Sequence, residues 1–77
     1  MTAPASEQRI DRFLRAAGLE PLQVSVVDRD VVFVQFRHLA NYVWIETRYS
    51  DQSTDESVAR DIMERAATRG IRPRRGP

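Results

Sequence analysis

The spacing of apolar residues changes twice along this chain, and this change constrains the fold more than any other feature. Ile10, Phe13, Leu14 and Ala17 have the spacing of one face of an α-helix. From residue 22 to residue 49 the pattern has instead the two-residue period of strands with one buried face. Helical spacing then returns in Val58, Ala59, Ile62, Met63 and Ala66. The predicted order of elements is therefore α-β-β-β-α.

Signals for the ends of both helices stand beside these stripes. Ser6 is predicted to cap a first helix that runs to about Ala17. Ser53, with Glu56 three residues later, has the spacing of a capping box at the start of the second helix. Left-handed stop signals follow the helices at Gly18 and Gly70. Three ion pairs are expected one turn apart on exposed faces: Asp11–Arg15, Arg60–Glu64 and Asp61–Arg65.

Three strands are predicted between the helices, over residues 22–27, 31–37 and 42–49, where β-branched and aromatic residues are frequent. The first connection, residues 28–30, lacks glycine, so a loop of three or four residues is expected rather than a tight primed turn. Residues 38–41 form the second connection. Short sequential connections favour an antiparallel three-stranded sheet with both helices packed on one face, an α+β fold.

The chain of 77 residues is expected to form one small domain. Residues 6–71 are predicted to be that α+β domain, residues 1–5 a flexible N-terminus and residues 72–77 a disordered Arg-rich tail. Domains of this size bury only about 60% of their unfolded surface and are often marginally stable alone. The predicted inner set is Ile10, Phe13, Leu14, Leu22, Val24, Val26, Val32, Val34, Phe36, Val43, Ile45, Val58, Ile62 and Met63.

Fixing the inner side of each strand also fixes the outer side, because side chains alternate across a strand. The predicted outer side is rich in apolar and aromatic residues, namely Val27, Val31, Phe33, Tyr42 and Trp44, with Arg37 and Arg48 nearby. Aromatic residues with arginine are typical of the centre of a protein interface. In the alternative interpretation, the third strand is shifted by one residue, so that Trp44 is buried and Val43 exposed.

Charge is distributed unevenly. Residues 1–68 contain eight arginines and eleven acidic residues, whereas residues 69–77 contain Arg69, Arg72, Arg74 and Arg75 and no acid. Such a basic segment can bind nucleic-acid phosphates, although phosphate contacts alone do not read a base sequence. The alternative is a solvated tail without a function. For the acids Asp51, Asp55 and Glu56 the expected role is to start the second helix.

Composition argues against catalysis. The chain has no cysteine, so it lacks a thiolate nucleophile and cysteine metal ligands, and all twelve basic residues are arginine, which removes Schiff-base chemistry. His38 is the one histidine and belongs to no recognisable catalytic motif. Asp28 and Asp30 supply too few oxygens for a calcium loop and are better explained as turn residues. We therefore expect no enzyme activity, no cofactor and no metal.

The sequence also predicts a cytoplasmic protein that does not contact a membrane. Residues 1–12 lack the basic segment followed by an apolar run that marks a signal peptide. The apolar run at residues 31–34 is far shorter than the roughly 20 residues needed to span a bilayer.

The order α-β-β-β-α at this length resembles that of double-stranded-RNA-binding domains, and the resemblance covers residues 6–69 in outline. That family carries lysines at the start of its second helix, where this chain has Thr54, Asp55 and Glu56. The loop between the first two strands also differs, being Asp28-Arg29-Asp30 here. The resemblance therefore implies a shared architecture and not a shared function.

The leading hypothesis is a small non-catalytic protein-interaction module, such as an adaptor, an assembly factor or a phage- or mobile-element-encoded inhibitor. It would bind a protein partner, or a second copy of itself, through Phe33, Tyr42, Trp44, Arg37 and Arg48. The alternative is a nucleic-acid-binding domain in which the sheet aromatics stack on bases and arginines, including Arg72, Arg74 and Arg75, contact phosphates. A third hypothesis is an obligate homo-oligomer that uses the aromatic face as its subunit interface.

Overall fold

The computed structural model describes residues 5–50 and 52–74, and these residues confirm the predicted order α-β-β-β-α. The elements are α1 (Glu7–Ala16), β1 (Gln23–Val27), β2 (Val31–His38), β3 (Asn41–Arg48) and α2 (Asp55–Thr68). The strands form an antiparallel sheet in the order β1-β2-β3, so the fold is α+β. The division into residues 1–5, 6–71 and 72–77 stays a prediction, and its parts at residues 1–4 and 75–77 lie outside the described residues.

Each helix begins at a side-chain cap, but the cap of α2 is one residue later than predicted. Ser6 caps α1 as expected, its hydroxyl accepting a hydrogen bond from the Arg9 N–H. The capping box of α2 is formed by Thr54 and Ser57 and not by Ser53 and Glu56. This later start makes Asp55 the first residue of α2, from where its carboxylate accepts a hydrogen bond from the backbone N–H of Ser6 at 3.1 Å. The capping box that forms is therefore the one that is accompanied by a contact between the two helices.

Two of the three predicted helix ion pairs form. Asp11 pairs with Arg15 at 3.0 Å and Asp61 with Arg65 at 2.9 Å. The predicted pair of Arg60 with Glu64 is wrong, because Arg60 instead contacts Glu56 at 3.4 Å. In the observed pair the acid precedes the base along the helix, which is the favourable orientation relative to the helix dipole.

Both connections within the sheet are short. Residues 28–30 form the three-residue loop, with Asp28 and Arg29 in the left-handed conformation at φ 53° and 67°. The second connection is shorter than predicted: His38 still belongs to β2 and pairs with Asn41, which leaves only Leu39 and Ala40 in the turn. Short turns of this kind fix the register of the strands they join.

The core lies between the inner face of the sheet and the two helices. Leu22 was predicted to belong to it but is 52% exposed, because Pro21, one residue earlier, takes the buried position where the chain enters β1. The six largest fully buried side chains are Ile10, Leu14, Val32, Val34, Phe36 and Ile62. Val24, Val26, Val43, Phe13 and Met63 are half-buried against them.

The two helices run side by side in the same direction on that face. At their beginnings, the Asp55 carboxylate accepts from Ser6 and lies 3.6 Å from the Arg9 guanidinium. Beyond their ends, the Arg74 N–H donates to the Gly18 carbonyl at 2.8 Å. α1 packs on β1 and α2 packs on β3, so the other face of the sheet is left without a helix.

One polar cluster ties α2 to the sheet. Thr47 is buried on the inner side of β3, and its hydroxyl donates a hydrogen bond to the Asp61 carboxylate. The Arg65 guanidinium donates to the same carboxylate at 2.9 Å. The Thr47 hydrogen bond, followed by the contacts with Arg65, holds the pKa of Asp61 below its ordinary value of 3.8 despite the opposing effect of partial burial.

This lowered pKa predicts a pH dependence of stability. Folding favours ionised Asp61, so the stabilisation is fully present above the ordinary carboxyl pKa and is lost as the pH falls through the lower pKa of the folded state. We expect Asp61→Asn to lower the free energy of unfolding near neutral pH and to do so much less at about pH 2–3. Urea unfolding of both proteins at the two pH values measures the difference. An equal difference at both would show that ionised Asp61 does not stabilise the fold.

Candidate functional site

The face of the sheet away from the helices is the candidate site, and we call it the open face. Strand pairing arranges its side chains in rows, since Gln35 pairs with both Gln23 and Trp44, while Phe33 pairs with both Ser25 and Glu46. The complete set is Gln23, Ser25, Val27, Val31, Phe33, Gln35, Arg37, Tyr42, Trp44, Glu46 and Arg48. The register places Trp44 on this face and Val43 on the inner side, so the alternative with a one-residue shift of β3 is wrong.

Two aromatic rings form the centre of the open face. Phe33 and Trp44 lie on neighbouring strands with their ring centroids 6.5 Å apart and their planes at 84°, an edge-to-face contact. Beside them is a shallow depression of about 410 Å³, lined by Ser25, Val27, Phe33 and Trp44. Trp44 remains 45% exposed despite its contact with Phe33. The pair thus offers an apolar surface whose geometry is set by the sheet.

Polar and cationic groups surround this centre. Arg37 pairs in register with Tyr42 at one end of the open face, and Arg48 pairs with Val31 at the other. Tyr42 is 65% exposed, and both arginines are exposed. The structure therefore places all five predicted partner-binding residues on one surface, with the cations at its two ends. An aromatic centre with a polar rim is the usual composition of a protein interface.

Two of the predicted nucleic-acid-binding residues, Arg72 and Arg74, line a cleft, which meets the open face at Arg37. This cleft of about 490 Å³ is lined by the end of α1, residues 18–22, the end of β2 and part of the segment after α2. Four arginines contribute to it: Arg15, Arg37, Arg72 and Arg74. Two of these have internal partners, since Arg74 pairs with Glu20 at 3.5 Å and Arg15 donates to the Pro21 carbonyl at 3.0 Å. Arg75, the third predicted tail residue, lies outside the described residues.

The groups considered for metal or acid–base chemistry are dispersed. His38 is half-buried at the end of β2, next to Gly70. Asp55 is engaged by Ser6 and Arg9, and Asp51 falls outside the described residues. Over residues 5–50 and 52–74, no three histidine, cysteine or acidic side chains are grouped so that they could hold a metal ion.

Sequence reasoning missed a second feature of β3, its outer edge. A cleft of about 400 Å³ lies beside this edge, between Trp44, Ile45 and Glu46 of β3 and the last turns of α2. On the α2 side it is lined by Arg65, Thr68 and Arg69. The one available signal was the absence of proline from residues 41–48, because proline often protects an exposed strand edge.

Comparison with known proteins adds no family to this description. No protein-family model matches the chain, and no match was found among curated proteins or solved structures. In the part of the chain that the structure describes, no helix has both the length and the apolar character needed to cross a membrane.

Proposed function

We propose that this chain is a small, non-catalytic protein-interaction module that acts in the cytoplasm and binds a protein partner through the open face. The observation that carries the proposal is the aromatic pair of half-buried Phe33 and exposed Trp44 on a sheet whose two helices both pack on the other side. A solvated face of an antiparallel sheet is normally polar. Burying this aromatic centre against a partner would release its water and provide most of the binding energy.

Several roles fit a module that works by covering a surface. An adaptor, an assembly factor and a phage- or mobile-element-encoded inhibitor all need a stable, exposed binding surface and no reactive side chain. The open face supports such a role because its aromatic centre lies between cations at both ends, Arg37 and Arg48. Tyr42 adds a large side chain with a polar tip, which suits a partly hydrated interface.

Replacement of Trp44 by alanine tests this proposal. We expect at least about a tenfold weaker interaction, because tryptophans near the centre of an interface often contribute about 2 kcal/mol or more to binding. The fold should persist, since Trp44 is 45% exposed and lies on the side of the sheet away from the core. Affinity capture with the immobilised proteins identifies the partner, and titration of the purified partner measures the dissociation constants.

Arg12→Ala is the matched control, because Arg12 is exposed on α1, on the side of the sheet away from the open face. It should leave the interaction unchanged. Unaltered binding by Trp44→Ala would contradict the proposal, and so would loss of the native circular dichroism spectrum, which would make Trp44 a structural residue.

Nucleic-acid binding is the second candidate function, and the arginine-lined cleft favours it. Arg37 lies both on the open face and in that cleft, so a single strand stacked on Trp44 could continue towards Arg72. Anisotropy of a labelled single-stranded oligonucleotide, measured at low and moderate salt, separates the two candidates. Salt-sensitive binding that Trp44→Ala weakens would favour nucleic acid, and no binding in dilute salt would remove this candidate.

A further inference from the structure

The outer edge of β3 exposes backbone hydrogen-bonding groups in a regular array. The Tyr49 N–H donates to the Asp30 carbonyl. In an antiparallel pair, every second residue directs its backbone N–H and C=O groups towards the neighbouring strand, so Thr47, Ile45 and Val43 also direct theirs towards β2. The residues between them direct theirs away from the sheet. Those residues are Tyr42, Trp44, Glu46 and Arg48, and none of their backbone groups has a partner on this edge within the described residues.

The two edges of the sheet differ in how they are protected. β1 has five residues, and the Glu7 carboxylate of α1 accepts a hydrogen bond from its Val26 N–H at 2.7 Å. β3 has eight residues in unbroken register with β2, without a bulge or a proline. Natural proteins usually protect long strand edges, because an exposed edge pairs readily with another strand. Apart from the charges of Glu46 and Arg48, the edge of β3 therefore has nothing that blocks pairing with a partner strand.

Space for such a strand is present. The cleft of about 400 Å³ lies between Trp44, Ile45 and Glu46 and the last turns of α2, so part of the volume beside the strand edge is unfilled. A paired strand would lie about 4.8 Å from β3 in the plane of the sheet. The contact would involve the border of the open face, and Phe33 with the depression beside it would remain accessible.

We propose that the partner strand is β3 of a second copy of this chain, paired antiparallel about a two-fold axis at Ile45. This inference goes beyond the proposed docking function, because the contact is the strand edge and not the open face. Centred at Ile45, the pairing joins Tyr42 to Arg48 of the second copy, and Trp44 to Glu46 of the second copy. Each residue of 42–48 whose backbone groups point away from β2 is then paired with such a residue of the second copy. Each of these pairs exchanges two backbone hydrogen bonds.

The side chains of β3 match this arrangement. Among the residues that would pair, Tyr42, Trp44, Glu46 and Arg48, one acid and one base give no net charge. Of the two arginines on the α2 side of the cleft, Arg65 is already paired with Asp61, which leaves Arg69 as the cation that faces the second copy. Arg48 would lie against the ring of Tyr42, a favourable cation–π pair. A register shifted towards Glu46 would set two Glu46 carboxylates directly opposite, which is destabilising, whereas here they lie on a diagonal. A domain of this size buries a small share of its surface on folding, so burial of further surface in a dimer would stabilise it.

Sedimentation velocity of Glu46→Pro tests the edge directly. The Glu46 N–H points away from β2, so proline removes no hydrogen bond of the monomer but blocks pairing with a second strand. Glu46→Ala keeps the N–H and is the matched control. We expect reversible dimers of the wild type and of Glu46→Ala over roughly a hundredfold range of concentration, and at least about tenfold weaker association of Glu46→Pro.

Amide hydrogen exchange of the wild type provides a second readout that does not depend on a variant. The N–H groups of Tyr42, Trp44, Glu46 and Arg48 should exchange more slowly at high protein concentration, while those of Val43 and Ile45, bonded to β2, stay protected throughout. This alternating protection would identify the edge even if Glu46→Pro fails to fold.

Three results would overturn the inference: a monomer at every concentration, a dimer whose outward β3 amides are not protected, or a dimer that a folded Glu46→Pro variant forms equally well. The proposed docking function is tested separately. A monomeric wild type whose partner binding is weakened by Trp44→Ala would leave that function supported and this inference rejected.

Discussion

Phe36→Ala is expected to remove a large part of the free energy of unfolding. Phe36 is 1% exposed on the central strand, where it packs with the fully buried residues of both helices. Truncating a buried phenylalanine typically costs about 3–5 kcal/mol, because apolar contacts are lost and a cavity remains. A domain of this size has a total stability of roughly 4–12 kcal/mol. Urea unfolding followed by far-UV circular dichroism should therefore show a large shift of the midpoint or no folded baseline.

Leu22→Ala is the control for this prediction. Leu22 is also a large apolar residue and adjoins the sheet, but it is 52% exposed, so its truncation should cost no more than about 0.5 kcal/mol. Equal losses of stability in the two variants would show that the core does not lie where the structure places it.

The second large effect is expected from Gly18→Ala. Gly18 has a φ of +95°, a left-handed conformation that costs an L-residue about 1–2 kcal/mol. A Cβ added there would also meet the backbone carbonyl oxygen of Arg74 at 2.5 Å, so the segment that follows α2 would have to move. We expect a total loss of at least about 2 kcal/mol, measured by thermal or urea unfolding.

Gly70→Ala separates the two causes of that loss. Gly70 has a similar φ of +85°, but the nearest atom to an added Cβ is Nε2 of the His38 side chain, at 3.3 Å. A side chain can shift where a backbone carbonyl cannot, so the loss should be limited to about 1–2 kcal/mol. Equal losses in the two variants would mean that the contact of Gly18 with Arg74 adds nothing to stability.

Much of the fold could be predicted because the local signals agree with one another. The change of apolar period identified all five elements, and the glycine after each helix indicated where it ends. The errors occurred where two local solutions were nearly equivalent. Ser53 and Thr54 can both cap a helix, and the contact of Asp55 with Ser6, 49 positions away in sequence, accompanies the choice of Thr54. Likewise, either Pro21 or Leu22 can occupy the buried position before β1, and the structure has Pro21 there.

The open face was equally predictable, because alternation along a strand fixes the outer residues once the inner ones are known. Its extension into a strand edge was not. Which backbone groups remain exposed depends on the hydrogen-bonded parity of β2 and β3, and the cleft beside Trp44 depends on where α2 crosses β3. Neither property is contained in a single segment of sequence. The exposed edge of β3 could therefore be identified only once the register of β2 and β3 was known.

The position of Trp44 also determines what an optical experiment on this protein can report. It is the one tryptophan of the chain, and the residue is already 45% exposed in the folded state. Its fluorescence should therefore change little when the chain unfolds. When an apolar surface covers the open face, however, the indole loses water and its emission should move to shorter wavelength. Intrinsic fluorescence of this protein is thus a sensor of occupancy and a poor measure of folding.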